Sequence, residues 1–221
     1  LYRQAAELRL LGRAKVRLTR LRSRRLLYVE FIERDRTTPV EVFRALGGQS
    51  AWKDPNDDLL GQIGRTMRLG PHPGYMAFCR FNDFCRLDEW EAHFRSEKHA
   101  ADRRMHAKHL AIHHFRAACY DEIIPPRRLT GGLYYVEFFA SGGGQKESAA
   151  YFAARQKQHP EGRLAMVMER IGLLAPDPGG MAVWEVDSYG TLEALARDVG
   201  GTAEIRPISA GVYRDFAEEI L

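Results

Sequence analysis

The chain has 221 residues, of which 45% are hydrophobic and 28% charged, with a net charge of +4. That is enough to bury a real core in one large domain or two small ones, while no run approaches the roughly 20 apolar residues that span a bilayer and the N-terminus lacks the apolar stretch of a secretory leader. Three cysteines, Cys79, Cys85 and Cys119, form neither a CxxC pair nor an even framework, so reduced thiols in a cytoplasmic protein are expected.

Residues 1–25 carry nine Lys or Arg against the single acid Glu7. Aromatic residues do not interleave with them, so they read as a basic helical arm with Leu11, Ala14, Leu18 and Leu21 packing on the body, and nucleic acid is not expected as the partner. "LLYVEFIE" at 26–33 is β-rich and apolar and reads as a strand. Residues 39–51, opening with Pro39 after two threonines, suit a capped helix. "GQIGRTMRL" and "YMAFCRF" flank the turn 71–74 and read as a hairpin. "DEWEAHFRSEKHAADRR" has helical periodicity, and a last strand ends near Tyr120. "DEIIPPRRLTGG" at 121–132, punctuated by proline and glycine pairs, reads as a connection.

The same blocks then return in the same order. "LYYVEFFA" at 133–140 repeats 26–33, and "LAPDPGGMAVWEV" at 174–186 repeats "LGPHPGYMAFCRF" at 69–81. "YGTLEALARD" at 189–198 matches "LDEWEAHFRS" at 87–96, and "IRPISAGVYRD" at 205–215 matches "IHHFRAACYDE" at 112–122. Four ordered blocks predict a tandem duplication. Each copy has the order βαββαβ of the ferredoxin-like unit. One such sheet bears helices on one face only, so the two copies are expected to pack sheet to sheet as an α+β barrel. The expected organisation is a basic N-terminal helix at 1–25, repeat one at 26–124, a linker at 125–132 and repeat two at 133–221.

"EAHFRSEKH" at 91–99 resembles the motif A-H-x-x-S-x-H of the antibiotic biosynthesis monooxygenase family, members of the dimeric α+β barrel superfamily. The second histidine of the pattern falls on Lys98, with His99 one residue late. The resemblance implies a small-molecule enzyme of secondary metabolism, a monooxygenase or cyclase acting on an aromatic or polyketide-like substrate, with O2 as possible co-substrate and no cofactor. It also implies a haem-degrading alternative, although the ligand position of that branch is Arg103 here.

Six of the eight histidines lie between residues 89 and 114. His93 stands where the second copy has Leu195, so it is expected to face inward as an acid or base. Arg80, replaced by Glu185, is the expected partner of an anion, and Trp90, Tyr75 and Tyr28 are expected to line a substrate pocket. Between motif and final strand the first copy carries nine extra residues, which include His106 and His109. On a continuous helix His99, Asp102, His106 and His109 fall within an arc of about 80°. Two uses follow: haem, with His99 or His106 axial and Arg103 toward a propionate, or a metal held by His106, His109 and Asp102. A third possibility is a wet polar face without a ligand. Chemistry is expected in the first copy and scaffolding in the second, in a monomer or homodimer.

Overall fold

The computed structural model describes residues 25–32, 58–67, 69–70, 73–82, 84–97, 100, 104, 115–130, 132–172 and 179–215. The N-terminal arm and the helix expected at 39–51 lie outside them. The described elements are β1 (Leu26–Ile32), β2 (Asp58–Arg65), β3 (Tyr75–Phe81), α1 (Cys85–Arg95), β4 (Phe115–Ile124), β5 (Leu133–Ser141), α2 (Gln145–Gln158), β6 (Arg163–Arg170), β7 (Gly180–Val186), α3 (Tyr189–Arg197) and β8 (Ile205–Asp215).

The eight strands close into one antiparallel barrel in the order β1-β3-β2-β8-β5-β7-β6-β4. Closure leaves no unpaired strand edge. Closure buries the inner face of β5, and α2 and α3 cover its outer face, which is why β5, "LYYVEFFAS", is apolar almost throughout rather than alternating. Inward side chains from both halves, among them Val29, Phe78, Tyr120, Val136, Met166 and Val183, form one shared interior. Fully burying each large apolar side chain contributes about 1.5–3 kcal/mol, so this interior fastens the halves together.

The two halves match pair for pair. β1 and β3 set Tyr28 opposite Cys79, Glu30 opposite Ala77 and Phe31 opposite Met76. β5 and β7 set Tyr135 opposite Trp184, Glu137 opposite Ala182 and Phe138 opposite Met181. A bulge falls between Leu59 and Gly61 on β2, and its counterpart between Leu164 and Met166 on β6.

Each bulge takes a carbonyl out of the strand ladder, and the segment after β4 satisfies both. The Arg127 N–H donates to the Ala165 carbonyl at 2.9 Å and the Leu129 N–H to the Leu60 carbonyl at 2.7 Å. Leu129 is buried with the barrel interior and lies so close over Gly61 that a Cβ there would stand 2.7 Å from its own Cβ. The stretch at 125–130, expected to be a linker, thus holds one hydrogen bond to each half.

Outside the barrel, α2 and α3 cover the second half. Ser188 caps α3 by accepting a hydrogen bond from the Thr191 N–H at 3.2 Å. Phe152 of α2 and Leu195 of α3 pack with Phe139 and Trp184. No helix among the described residues is long and apolar enough to cross a membrane.

Candidate functional site

Strand alternation sends one glutamate from each half toward the helix side of the sheet. In the second half this is Glu137, flanked in register by Ala182 of β7 and Ala210 of β8. Two methyl-sized neighbours leave a well above the carboxylate, and Arg155 of α2 fills it. One guanidinium nitrogen of Arg155, Nη1, lies 2.6 Å from both Glu137 oxygens, and Nη2 donates to the Leu195 carbonyl at 3.0 Å. Trp184 Nε1 is a second donor to Glu137, at 3.1 Å. The guanidinium carbon lies 5.4 Å from the Trp184 ring centre and 5.9 Å from that of Tyr151. Burial disfavours the charge of Arg155, but its hydrogen bonds and attraction to Glu137 prevail and hold its pKa above the usual value. Phe139, Phe152, Trp184 and Leu195 are each no more than 1% exposed. The space is full.

In the first half the equivalent acid is Glu30, flanked by Ala77 of β3 and Ala117 of β4. The well has the same walls and a different content. Tyr28 repeats Tyr135, but Cys79 stands where the second half has Trp184, and Cys119 where it has Val212. Tyr75 replaces Gly180, over which the Phe139 ring lies so closely that a Cβ would meet it at 2.4 Å. Among the described residues Glu30 has no hydrogen bond and no cation beside it. It is half-buried, and desolvation pushes its carboxyl up to about 7.

The phenols around it stay protonated. Tyr28 is raised by burial first and then by Glu30, Cys79 and Cys119; Tyr75 is raised by burial first and then by Glu30, Cys79 and Asp215. Neither Cys79 nor Cys119 is in a disulfide. One carboxyl poised near neutrality, bordered by neutral O–H and S–H groups, is an acid–base site in the making.

Of the residues expected from the sequence, Tyr28 and Tyr75 do face this space, whereas Arg80 does not. It pairs with Leu27, an interior residue, and therefore points to the other face of the sheet. There its Nε meets Glu122 Oε1 at 2.5 Å and its Nη2 meets Oε2 at 2.8 Å, a two-point ion pair. The expectation that Arg80 joins the tyrosines across one cavity is corrected accordingly. Glu30, which recurs in the second half as Glu137, is the carboxyl the site offers. The side chains of His93 and Trp90 lie outside the described residues, as do His99, Asp102, Arg103, His106 and His109.

The described residues of the second half do not fit haem. Its space beneath the helices is closed, and both nitrogens of its only histidine, His159, face carboxylates: Nδ1 lies 3.3 Å from Glu161 and Nε2 2.7 Å from Asp198. A cavity of about 410 Å³ at its rim is bordered by Arg163, Glu185, Tyr189 and Arg214, with Arg163 ion-paired to Glu185. Among the described residues no group of three or more His, Cys, Asp or Glu is placed to hold a metal ion.

No family model and no curated protein matches this sequence. Solved structures match by fold. A chlorite dismutase variant from Candidatus Nitrospira defluvii, in complex with cyanide, is 10% identical with a TM-score of 0.52, covering 89% of this chain and 93% of that one. A haem-binding protein from Thermus thermophilus is 14% identical with a TM-score of 0.53, covering 88% and 92%. The chain has the α+β fold, with its eight-stranded antiparallel sheet, of these structures.

Proposed function

We propose that this chain is a haem-binding protein built from two copies of one βαββαβ unit, with the haem taken up by the first copy and the second serving as scaffold. The observation that carries this reading is the contrast between the halves. The second is closed by Phe152, Trp184 and the Arg155–Glu137 pair, while the first has Cys79 in place of the indole. The histidine-rich segment 99–109 belongs to that same first copy, and the similar structures include a haem-binding protein and a chlorite dismutase. His99 or His106 would hold the haem iron, and Arg103 would pair with one of the group's carboxylates.

When bound, haem would supply a redox-active iron able to activate a small oxygen-containing molecule. The chain's own residues would do the rest. Tyr28 and Tyr75, kept protonated, donate hydrogen bonds; Glu30 accepts or gives a proton near neutral pH; the apolar strand surface keeps water away.

A cofactor-independent oxygenase or cyclase is the second reading. It draws on the same carboxyl, since a base near pKa 7 suits proton abstraction from a small aromatic substrate. Titration with hemin separates the two. The haem reading predicts a Soret band that saturates at one equivalent and is shifted or lost in His99→Ala or His106→Ala. A spectrum of free hemin alone overturns it in favour of the second.

A further inference from the structure

We infer that the rim cavity of the second half is a binding site for a small zwitterion, an α-amino acid with an aromatic side chain, held by Arg214 at one end and by Asp187 and Glu161 at the other. The inference goes beyond haem binding, concerns the half that the haem reading leaves as scaffold, and stands whether or not hemin binds.

The strands lay out the cavity. Its volume is about 410 Å³, and every residue that lines it is described. Leu133 of β5 stands opposite Arg214 of β8 on one side and Val186 of β7 on the other. The three form one row across neighbouring strands, whose ends lie about 10 Å apart. Leu133 and Val186 belong to the cluster beneath the helices, so the floor is apolar. Beyond Val186 the sign of the charge changes. Arg163 of β6 pairs with Glu185 of β7 in antiparallel register. Glu161, two residues before Arg163, and Asp187, two residues after Glu185, therefore come to the same side of the cavity. The cation stands on the β8 side and two carboxylates on the β6–β7 side.

These groups are held ready. Asp187 accepts from Thr191 Oγ1 at 2.7 Å, and hydrogen bonds from Thr191 first and Ser188 next hold its carboxyl below the usual range. Glu161 Oε1 lies 3.3 Å from His159 Nδ1. Arg214 is fixed in the sheet between Gly64 and Leu133, and its several N–H donors can take a carboxylate beside the interaction it already makes. The other charges in the wall are matched. Arg163 and Glu185 form an ion pair and share the Thr130 hydroxyl, which donates to Glu185 at 2.7 Å and accepts from Arg163 at 3.2 Å. Ser188 already caps α3, so the helix terminus does not call for an anion. An anion or a cation alone meets one end, whereas an ammonium and a carboxylate on one molecule meet both. Tyr189, 42% exposed, borders the same cavity and offers its ring to an aromatic side chain.

Isothermal titration of the full chain with phenylalanine, N-acetylphenylalanine and phenylalaninamide tests the site. Phenylalanine is expected to saturate one site, with each blocked analogue weaker by about tenfold or more. Asp187→Asn should leave phenylalanine no better than the N-acetyl compound, and Arg214→Gln no better than the amide. Glu204→Gln, outside the cavity, should change nothing. Absence of binding to the parent chain overturns the site, and equal affinity for the blocked analogues overturns the zwitterion class. Binding unchanged in both Asp187→Asn and Arg214→Gln overturns the location. Asp187→Asn, at an exposed position, decides the location if Arg214→Gln does not fold.

Discussion

The two halves of the barrel share a strand register and differ in what lies between sheet and helices. Around Glu137 both carboxylate oxygens are engaged: Arg155 Nη1 meets each of them, Trp184 adds a donor, and Leu195 takes the other terminal guanidinium nitrogen. Around Glu30 the same backbone carries the same acid with an indole removed and no described cation. One half thus holds a matched ion pair, while the other keeps a carboxyl that has no partner among the described residues. Such a group is a liability for stability and a resource for chemistry.

The largest consequence is expected in the sealed half. Arg155→Met leaves Glu137 buried without a counter-charge, and breaking such a pair costs about 3–5 kcal/mol. Chemical denaturation should show that loss, with much of it recovered when Glu137→Gln is added. Equal stability of parent and Arg155→Met would mean that the pair does not hold the second half.

Next comes the open half, read through pH. The Glu30 carboxyl sits near 7 folded against an ordinary 4.5, so the folded state takes up a proton between those values. Its contribution is fully present below about pH 4.5 and is lost as pH rises toward 7, for a total of about 3 kcal/mol. The stability difference between parent and Glu30→Gln should change by that amount across the window, in favour of the variant at pH 8. A flat difference would remove the contrast between the two glutamates.

Smaller again is the effect at the join between the halves. Gly61→Ala drives a methyl into Leu129 and should lower stability by about 1–3 kcal/mol. Gly190→Ala, whose nearest neighbour is 3.7 Å away, should cost nothing. The smallest effect belongs to the exposed pair Arg197–Glu193: Glu193→Gln should shift stability by less than about 0.5 kcal/mol. Set beside Arg155→Met, it measures what burial adds to an ion pair.

Much of this was legible in the residues. The correspondence of "YMAFCRF" with "GMAVWEV" reappears as matched strand partners, down to Cys79 and Trp184 opposite the two equivalent tyrosines. Strand alternation could also have separated Arg80 from Tyr75, since five positions along a strand reverses the face. The role of Glu30 was hidden because recurrence made it look like its twin. What distinguishes them is Arg155, a helix residue whose reach to a strand depends on how α2 lies across the sheet, and spacing alone does not reveal that. The role of 125–130 was hidden for a similar reason. Prolines and glycines announce a connection but not the two bulge carbonyls it satisfies.

The most direct test of the contrast is to close the first half as the second is closed. Cys79→Trp installs the indole of the sealed copy, and the variant should be compared with the parent chain by hemin titration. The account predicts a Soret band that saturates at one equivalent for the parent and is lost in Cys79→Trp. Hemin binding of equal strength in both would show that the space above β1 and β3 is not where the haem resides.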